Sequence, residues 1–286
     1  MNKGLLLLLF FSFPLLAEQW RDPNPDDLVY IQLPKGQIVI ELAPFMAPHH
    51  VRQFKALVRE GFYDGLDFYR VIEGFVAQAG DVEETRPSKY KGMLKAEFSR
   101  NIAPDSAYTL VQSPEFIAPQ TGYLQGFAAG RDPQAGLEWL LHCPGTVAMA
   151  RNNEADSGST DFYIVIGQAP RHLDRNMSVF GRVIYGMEYV QALPRGNPEV
   201  EMGVIKDAGQ RGKIEKAWVA SDMPADQRLI LQVQEQDSEA VQKRLASART
   251  MDSPFYHFRG NGKLDICYYP LKSRLRPSDQ PPAGTE

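Results

Sequence analysis

Apolar and polar positions alternate with period two in several short runs of this chain, and follow a helical period in only a few. VYIQLPKGQIVIEL sets Val29, Ile31, Ile38 and Ile40 against Tyr30, Gln32, Gln37, Val39 and Glu41. With Pro34-Lys35-Gly36 as the turn, it predicts a hairpin. APHHVRQFKALVREGFYDG then places Val51, Phe54, Leu57 and Val58 at helical spacing, with Pro48 suited to a first turn and Gly61 to a stop. FYRVIEGFVAQAGD, from Phe68 to Asp81, holds two short strands joined at Glu73-Gly74. GTVAMA, DFYIVI, SVFGRVIYG and KIEKAWVAS read as further strands, and GMEYVQALPRG as a short helix with Met187, Val190 and Leu193 on one stripe. Many short strands with two helices predict a mainly β, antiparallel barrel rather than a parallel α/β sheet.

Two regions interrupt or extend this pattern. Residues 98–142 are rich in Gly, Pro and aromatics and read as a long insertion. Beyond Pro224, RLILQVQ predicts a strand, DSEAVQKRLASA a helix burying Val241 and Leu245, and FYHFRGNGKLDICYY a hairpin around Gly260-Asn261-Gly262. Residues 224–276 thus form a C-terminal α+β extension, and 277–286 are expected to be disordered.

Composition changes the picture only in what it excludes. In 286 residues, 43% are hydrophobic and the net charge is -4, with no Lys/Arg cluster, so nucleic acid is not an expected partner. The start, MNKGLLLLLFFSFPLLAEQW, has a basic residue, a short apolar run and Ala17 before a cleavage point. It is expected to be a signal peptide over residues 1–17, leaving a mature chain with no stable membrane insertion. Export permits a disulfide between Cys143 and Cys267, which spacing alone neither requires nor excludes.

Candidate chemistry is sparse by elimination. There is no G-x-S-x-G, and neither cysteine has a recognisable base arrangement. His49-His50 lacks the i,i+4 spacing that converges on one ion and is read as a solvated pair, as are the acidic EVE and DVEE clusters. No metal site and no cofactor is expected. What stands out is Arg70 and Gln78, polar residues in otherwise apolar strands. Arg70 reads either as a structural ion pair with Glu73 or Glu83, or as a fixed cation beside the aromatic wall of Phe68 and Phe75, suited to a carbonyl-bearing apolar ligand.

FYDGLDFYRVIEGFVAQAGD resembles the signature of the cyclophilin family of peptidyl-prolyl isomerases, F-Y-x-G-x-x-F-H-R-V-I-x-x-F-x-x-Q-G-G-D. GTVAMAR, STDFYIVIG and LDRNMSVFGRVIYGM resemble the family's later blocks, in the family's order, over roughly Val29 to Ser221. The resemblance implies a closed eight-stranded antiparallel barrel capped by two helices over residues 28–222, the insertion lying within it. It implies a peptidyl-prolyl cis-trans isomerase acting on proline-containing polypeptides. The signal segment and MAR block are most similar to exported bacterial members, which implies the periplasm and a role in folding exported proteins.

By position, Arg70 matches the family's catalytic arginine, and Phe75 and Gln78 the pocket phenylalanine and its neighbouring glutamine. Ala150 and Arg151 match a groove-lining pair, Tyr163 the second aromatic wall and Leu173 the pocket leucine. Several positions depart from the pattern: Tyr69 replaces histidine, Val76 methionine, Ala79 glycine and Asp161 glutamine. His172 stands for tryptophan or phenylalanine, and Met177 for histidine or tyrosine. These departures motivate an alternative, a non-catalytic peptide-binding or chaperone module using the groove, insertion and tail.

Overall fold

A computed structural model describes residues 19–277. The expected signal peptide, and all of the expected disordered tail but Pro277, lie outside the described residues. The opening hairpin forms as its alternation demands. Leu28–Leu33 pairs antiparallel with Gly36–Leu42, from Leu28 opposite Glu41 to Leu33 opposite Gly36. Val29, Ile31, Ile38 and Ile40 enter the main core. The other face is not solvated, because Tyr30 and Val39 enter a second core built by the insertion and the extension.

The main sheet has nine strands, all neighbours antiparallel. In order they are Gly212–Lys213, Asp67–Val71, Val76–Gly80, Phe162–Val165, Thr146–Met149, Val179–Tyr185, Gly36–Leu42, Leu28–Leu33 and Lys216–Val219. The fold is therefore mainly β, with a curled nine-stranded sheet where a closed eight-stranded barrel was expected. Its two edge strands follow one another in the chain: Ile214 N donates to Leu66 O at 2.8 Å, and Glu215 N to Gln32 O at 2.9 Å. Phe54, Phe162 and Phe180 fill the concave side, with ring centroids 5.2 and 5.0 Å from Phe54.

Two helices pack on this sheet. Helix α1, Pro48–Arg59, buries Val51, Phe54, Leu57 and Val58 as its spacing predicts. Helix α2 is short, Met187–Gln191, and sets Tyr189 over Gly36, where a Cβ would lie 2.2 Å from the ring. At the N-terminus of α1, Ala47 offers no side-chain oxygen. The Glu97 carboxylate supplies the cap instead, accepting from the amides of His49 at 3.2 Å and His50 at 3.1 Å and from His50 Nδ1 at 2.6 Å. The expected solvated pair is thus split, with His49 exposed and His50 buried, because one distant acid satisfies both amides and a ring. In the DVEE cluster Asp81 is likewise buried, its carboxylate accepting the Arg86 amide at 2.6 Å.

Burial raises the Glu97 carboxyl, but the His50 and His49 donors outweigh it and leave the group below its ordinary value. A depressed folded pKa gives stability that is present above the unfolded-chain pKa and lost as pH falls through the folded one. Glu97→Ala is expected to cost about 1–2 kcal/mol near neutral pH. The gap to the parent should shrink on acidification in urea unfolding, and a gap independent of pH would mean the carboxylate charge is not its source.

The insertion forms its own five-stranded antiparallel sheet, in the order Arg100–Asn101, Leu137–Leu140, Phe127–Asp132, Gln120–Leu124 and Tyr108–Gln112. Its Glu138 is fully buried between Arg100 at 2.7 Å and Arg131 at 2.6 Å. Leu124, Phe127 and Leu140 pack on Val76, Ala148, Tyr163 and Val165, the convex face of the main sheet.

In the extension, Leu231–Gln234 pairs with Trp20–Arg21 and Ser273–Leu275, and helix α3, Glu239–Thr250, buries Val241 and Leu245. The hairpin expected around Gly260-Asn261-Gly262 is absent. Leu264 and Ile266 sink into the second core, and the backbone there finds partners elsewhere: Leu264 N donates to Gln112 Oε1 at 3.1 Å, and Gly262 O accepts from Arg249 at 3.0 Å. Cys143 and Cys267 are disulfide-bonded, with Cα atoms 5.0 Å apart. Among the described residues no helix is long and apolar enough to cross a membrane.

Candidate active site

A bulge creates the polar half of the site. Phe68 faces Ala79 and Arg70 faces Gln78, so Tyr69 is an extra residue and the register shifts between Phe68 and Arg70. Such a bulge re-aims side chains that strict alternation would send to opposite faces. Tyr69 and Arg70 both reach Gln78: Arg70 Nη1 donates to Gln78 Oε1 at 3.1 Å, and Gln78 Nε2 donates to the Tyr69 hydroxyl at 2.5 Å. Tyr69 donates onward to Asp161 Oδ2 at 2.7 Å, and the Asp81 amide and Thr160 hydroxyl each donate to Oδ1 at 3.1 Å. Four side chains from two strands and one loop are thereby held in line.

Arg70 is half-buried and is not the ion pair that Glu73 or Glu83 would make of it. Glu73 accepts from Arg195 at 2.5 Å, and Glu83 lies 3.9 Å from Arg211. The second anchor of Arg70 is a carbonyl, with Nε donating to Met202 O at 2.7 Å. Met202 adopts φ 53° between Glu201 at 46° and Gly203 at 89°, a left-handed run that costs free energy at the two non-glycine residues. Burial lowers the Arg70 pKa, against the influence of Tyr69, and a guanidinium keeps its proton regardless. Burial also raises Tyr69, with the Asp161 charge adding to it, and burial raises Asp161 itself despite its donors.

Gly80 makes this line possible. Its φ is +149°, and a Cβ there would lie 2.0 Å from Asp161 Oδ1. Gly80→Ala is expected to cost about 1–3 kcal/mol in urea unfolding through backbone strain and displacement of the carboxylate. An unchanged midpoint would show that Asp161 yields freely.

The apolar half lies one strand over. Gln78 faces Tyr163, which in turn faces Ala148, so Arg70, Gln78 and Tyr163 form a row across three strands. Val76 and Tyr163 are buried, Tyr163 only 4% exposed, while Phe75, Ala150, Leu173 and Met177 line the margin of the same cluster. The exposed His172 ring lies parallel to Phe75, 6.3 Å away with 11° between planes. Beside this patch a cleft of about 340 Å³ is lined by Tyr69, Gln78, Asp81, Ala150, Arg151 and Asp161.

The residues matched by position to the family's site therefore fall in two adjoining zones, whereas Phe68, expected in the aromatic wall beside Arg70, is fully buried in the main core against Phe162. Arg151 serves mainly as a loop clamp, donating to Asn176 O at 2.9 and 2.8 Å and to Asn152 O at 2.7 Å. Sequence reasoning did not place Tyr69 in the site. Its signal was present as two separate departures from the family pattern, Tyr69 and Asp161, which the fold brings into direct contact. Among the described residues no group of three or more His, Cys, Asp or Glu is placed to hold a metal ion.

Residues 28–216 match the family model of cyclophilin type peptidyl-prolyl cis-trans isomerases. The chain is 32% identical over 199 residues to a probable peptidyl-prolyl cis-trans isomerase of Brucella suis, covering 70% of this chain and 85% of that one. It is 31% identical over 176 residues to peptidyl-prolyl cis-trans isomerase B of Bacillus subtilis, covering 61% and 96%. The crystal structure of a cyclophilin from Hirschia baltica matches with a TM-score of 0.72 at 30% identity, covering 90% of this chain and 93% of that one. With the bulged strand pair, the row of Arg70, Gln78 and Tyr163 and these matches in hand, the chain belongs to the cyclophilin family of peptidyl-prolyl cis-trans isomerases.

Proposed function

We propose that this isomerase assists the folding of exported proteins, in the periplasm, by stabilising the twisted X-Pro amide with Arg70 beside an apolar pocket. An X-Pro bond carries a rotation barrier of about 18–20 kcal/mol from amide resonance and crosses unaided in about tens to hundreds of seconds. No atom is transferred, so neither nucleophile nor metal is needed. The requirement is to bind the twisted amide better than either planar form. Midway, the prolyl nitrogen regains a lone pair and the carbonyl loses conjugation. A fixed guanidinium stabilises that state through the nitrogen or a neighbouring carbonyl oxygen. A ten-thousand-fold acceleration requires only about 5.5 kcal/mol of such preference.

In this reading Phe75, Val76, Tyr163 and Leu173 hold the pyrrolidine ring, with His172 at the rim. Gln78 orients Arg70, and the cleft by Ala150, Arg151 and Asp161 takes the flanking peptide. The contiguous run from Gly212 to Val219 acts as one broken strand that closes the sheet into the family's eight-stranded barrel. The observation that carries the reading is that Arg70 is held by Gln78 and the Met202 carbonyl rather than by a carboxylate, so that its charge has no carboxylate partner among the described residues. A protease-coupled proline-peptide assay on the mature chain tests it, and turnover no faster than the uncatalysed peptide would sink it.

A second reading is favoured by the extension, where Phe255, Phe258 and Tyr268 are 80%, 83% and 81% exposed. Exposed aromatics of this size suit the holding of unfolded chains. Suppression of client aggregation by an Arg70→Ala variant would separate that activity from isomerisation.

A further inference from the structure

Tyr163 brings a hydroxyl into a position where a plain ring would serve. Buried as it is, that O–H needs a partner. The partner is His142, the last residue of the insertion, whose Nε2 lies 3.0 Å from the Tyr163 oxygen. The two rings are nearly parallel, 19° between planes with centroids 6.2 Å apart. His142 is itself 0% exposed. Its backbone N donates to Asp174 Oδ1 at 2.9 Å, and its Nδ1 meets the same oxygen at 3.0 Å. A carboxylate only accepts, so Nδ1 carries a proton, and Nε2 is the nitrogen left to pair with the Tyr163 hydroxyl.

The line continues past Asp174. Its Oδ2 accepts from Arg171 Nε at 2.5 Å, and Arg171 reaches Glu115 of the insertion at 3.3 and 3.4 Å. Arg171 and Asp174 bracket His172 and Leu173 in the chain. The insertion thus grips both sides of the apolar zone, Tyr163 through His142 and the His172–Leu173 segment through Glu115 and Asp174. Every member of this line is well buried, so solvent does not compete for its hydrogen bonds.

We propose that His142 is a positioning residue for isomerisation: through it the insertion fixes the Tyr163 ring, and with it the width of the proline pocket. This rests on the reading of Tyr163 and Leu173 as walls of that pocket. A wall that loosens weakens ground-state and transition-state binding alike, which raises KM and leaves kcat unchanged.

The test measures kcat and KM separately on the full chain for the parent, Tyr163→Phe, His142→Gln and the double variant, with Arg70→Ala in parallel. Tyr163→Phe and His142→Gln are each expected to raise KM about three- to tenfold, the range for one lost hydrogen bond, with kcat within about twofold. The double variant should be little worse than either single, since both cut one link. A purely structural role would lower the unfolding midpoint and leave KM in place. KM within twofold of the parent in Tyr163→Phe, or additive effects in the double variant, overturns the proposal. Should His142→Gln fail to fold, Tyr163→Phe decides alone, because it removes a single oxygen. If Arg70→Ala keeps parental turnover, the pocket reading falls and this proposal falls with it. If Arg70→Ala loses turnover while KM is unmoved in Tyr163→Phe, only the role of His142 is lost.

Discussion

Arg70→Ala is expected to lower kcat/KM for a proline peptide by about two to three orders of magnitude, the usual cost of removing one fixed donor from a transition-state site. The fold should survive. Arg70 is only half-buried, and the groups it leaves are the side-chain oxygen of half-buried Gln78 and the carbonyl of Met202 in an exposed loop. Arg70→Lys should recover little of the loss. Its single ammonium does not reproduce the planar fork that now contacts Gln78 through Nη1 and Met202 through Nε. Loss of turnover with an unchanged circular dichroism spectrum and melting midpoint is the predicted outcome. Turnover within threefold of the parent would move the chemistry away from this arginine.

The second large effect falls on stability. Cys143 and Cys267 lie 124 residues apart in sequence, so their bond closes a long loop in the unfolded chain. Replacing both with serine is expected to cost about 4–5 kcal/mol on the chain-entropy account. The bond also ties the extension to the residue beside His142, and Cys143 itself belongs to the second core. Urea unfolding of the double-serine variant against the oxidised parent measures the difference. A change below about 1 kcal/mol would mean that the shared apolar core already holds the extension, and that the unfolded chain gains little freedom without the bond.

The structure also joins features that the chain presents as separate departures from its family. Tyr69 in place of histidine and Asp161 in place of glutamine are 92 residues apart, yet their side chains share a hydrogen bond of 2.7 Å. Gly80 leaves room for Asp161 at that spot. The two residues thus act as one unit, a polar link behind Gln78. Gln78 still presents its oxygen to Arg70 because Tyr69 takes its nitrogen.

Local periodicity determined a good part of this protein. The first hairpin, helix α1, the short α2 and the strand pair carrying Arg70, Phe75 and Gln78 were legible because each needs only neighbours within a few residues to define its buried face. Arg70 and Gln78 announced themselves as polar residues where alternation asks for apolar ones. The insertion and extension were recognisable as additions, but their effect was not. Only the tertiary structure decided that the outer face of the hairpin is buried, that Glu97 caps α1, that residues 255–269 form no hairpin, and that His142 meets Tyr163. Each depends on groups far apart in the chain, and sequence periodicity carries no information on which distant surface will cover a face or which distant acid will satisfy an amide. Those choices are made when the second core assembles, because burying Leu264, Ile266 and Tyr30 together leaves their backbone and polar neighbours to find whatever partners that packing brings within reach.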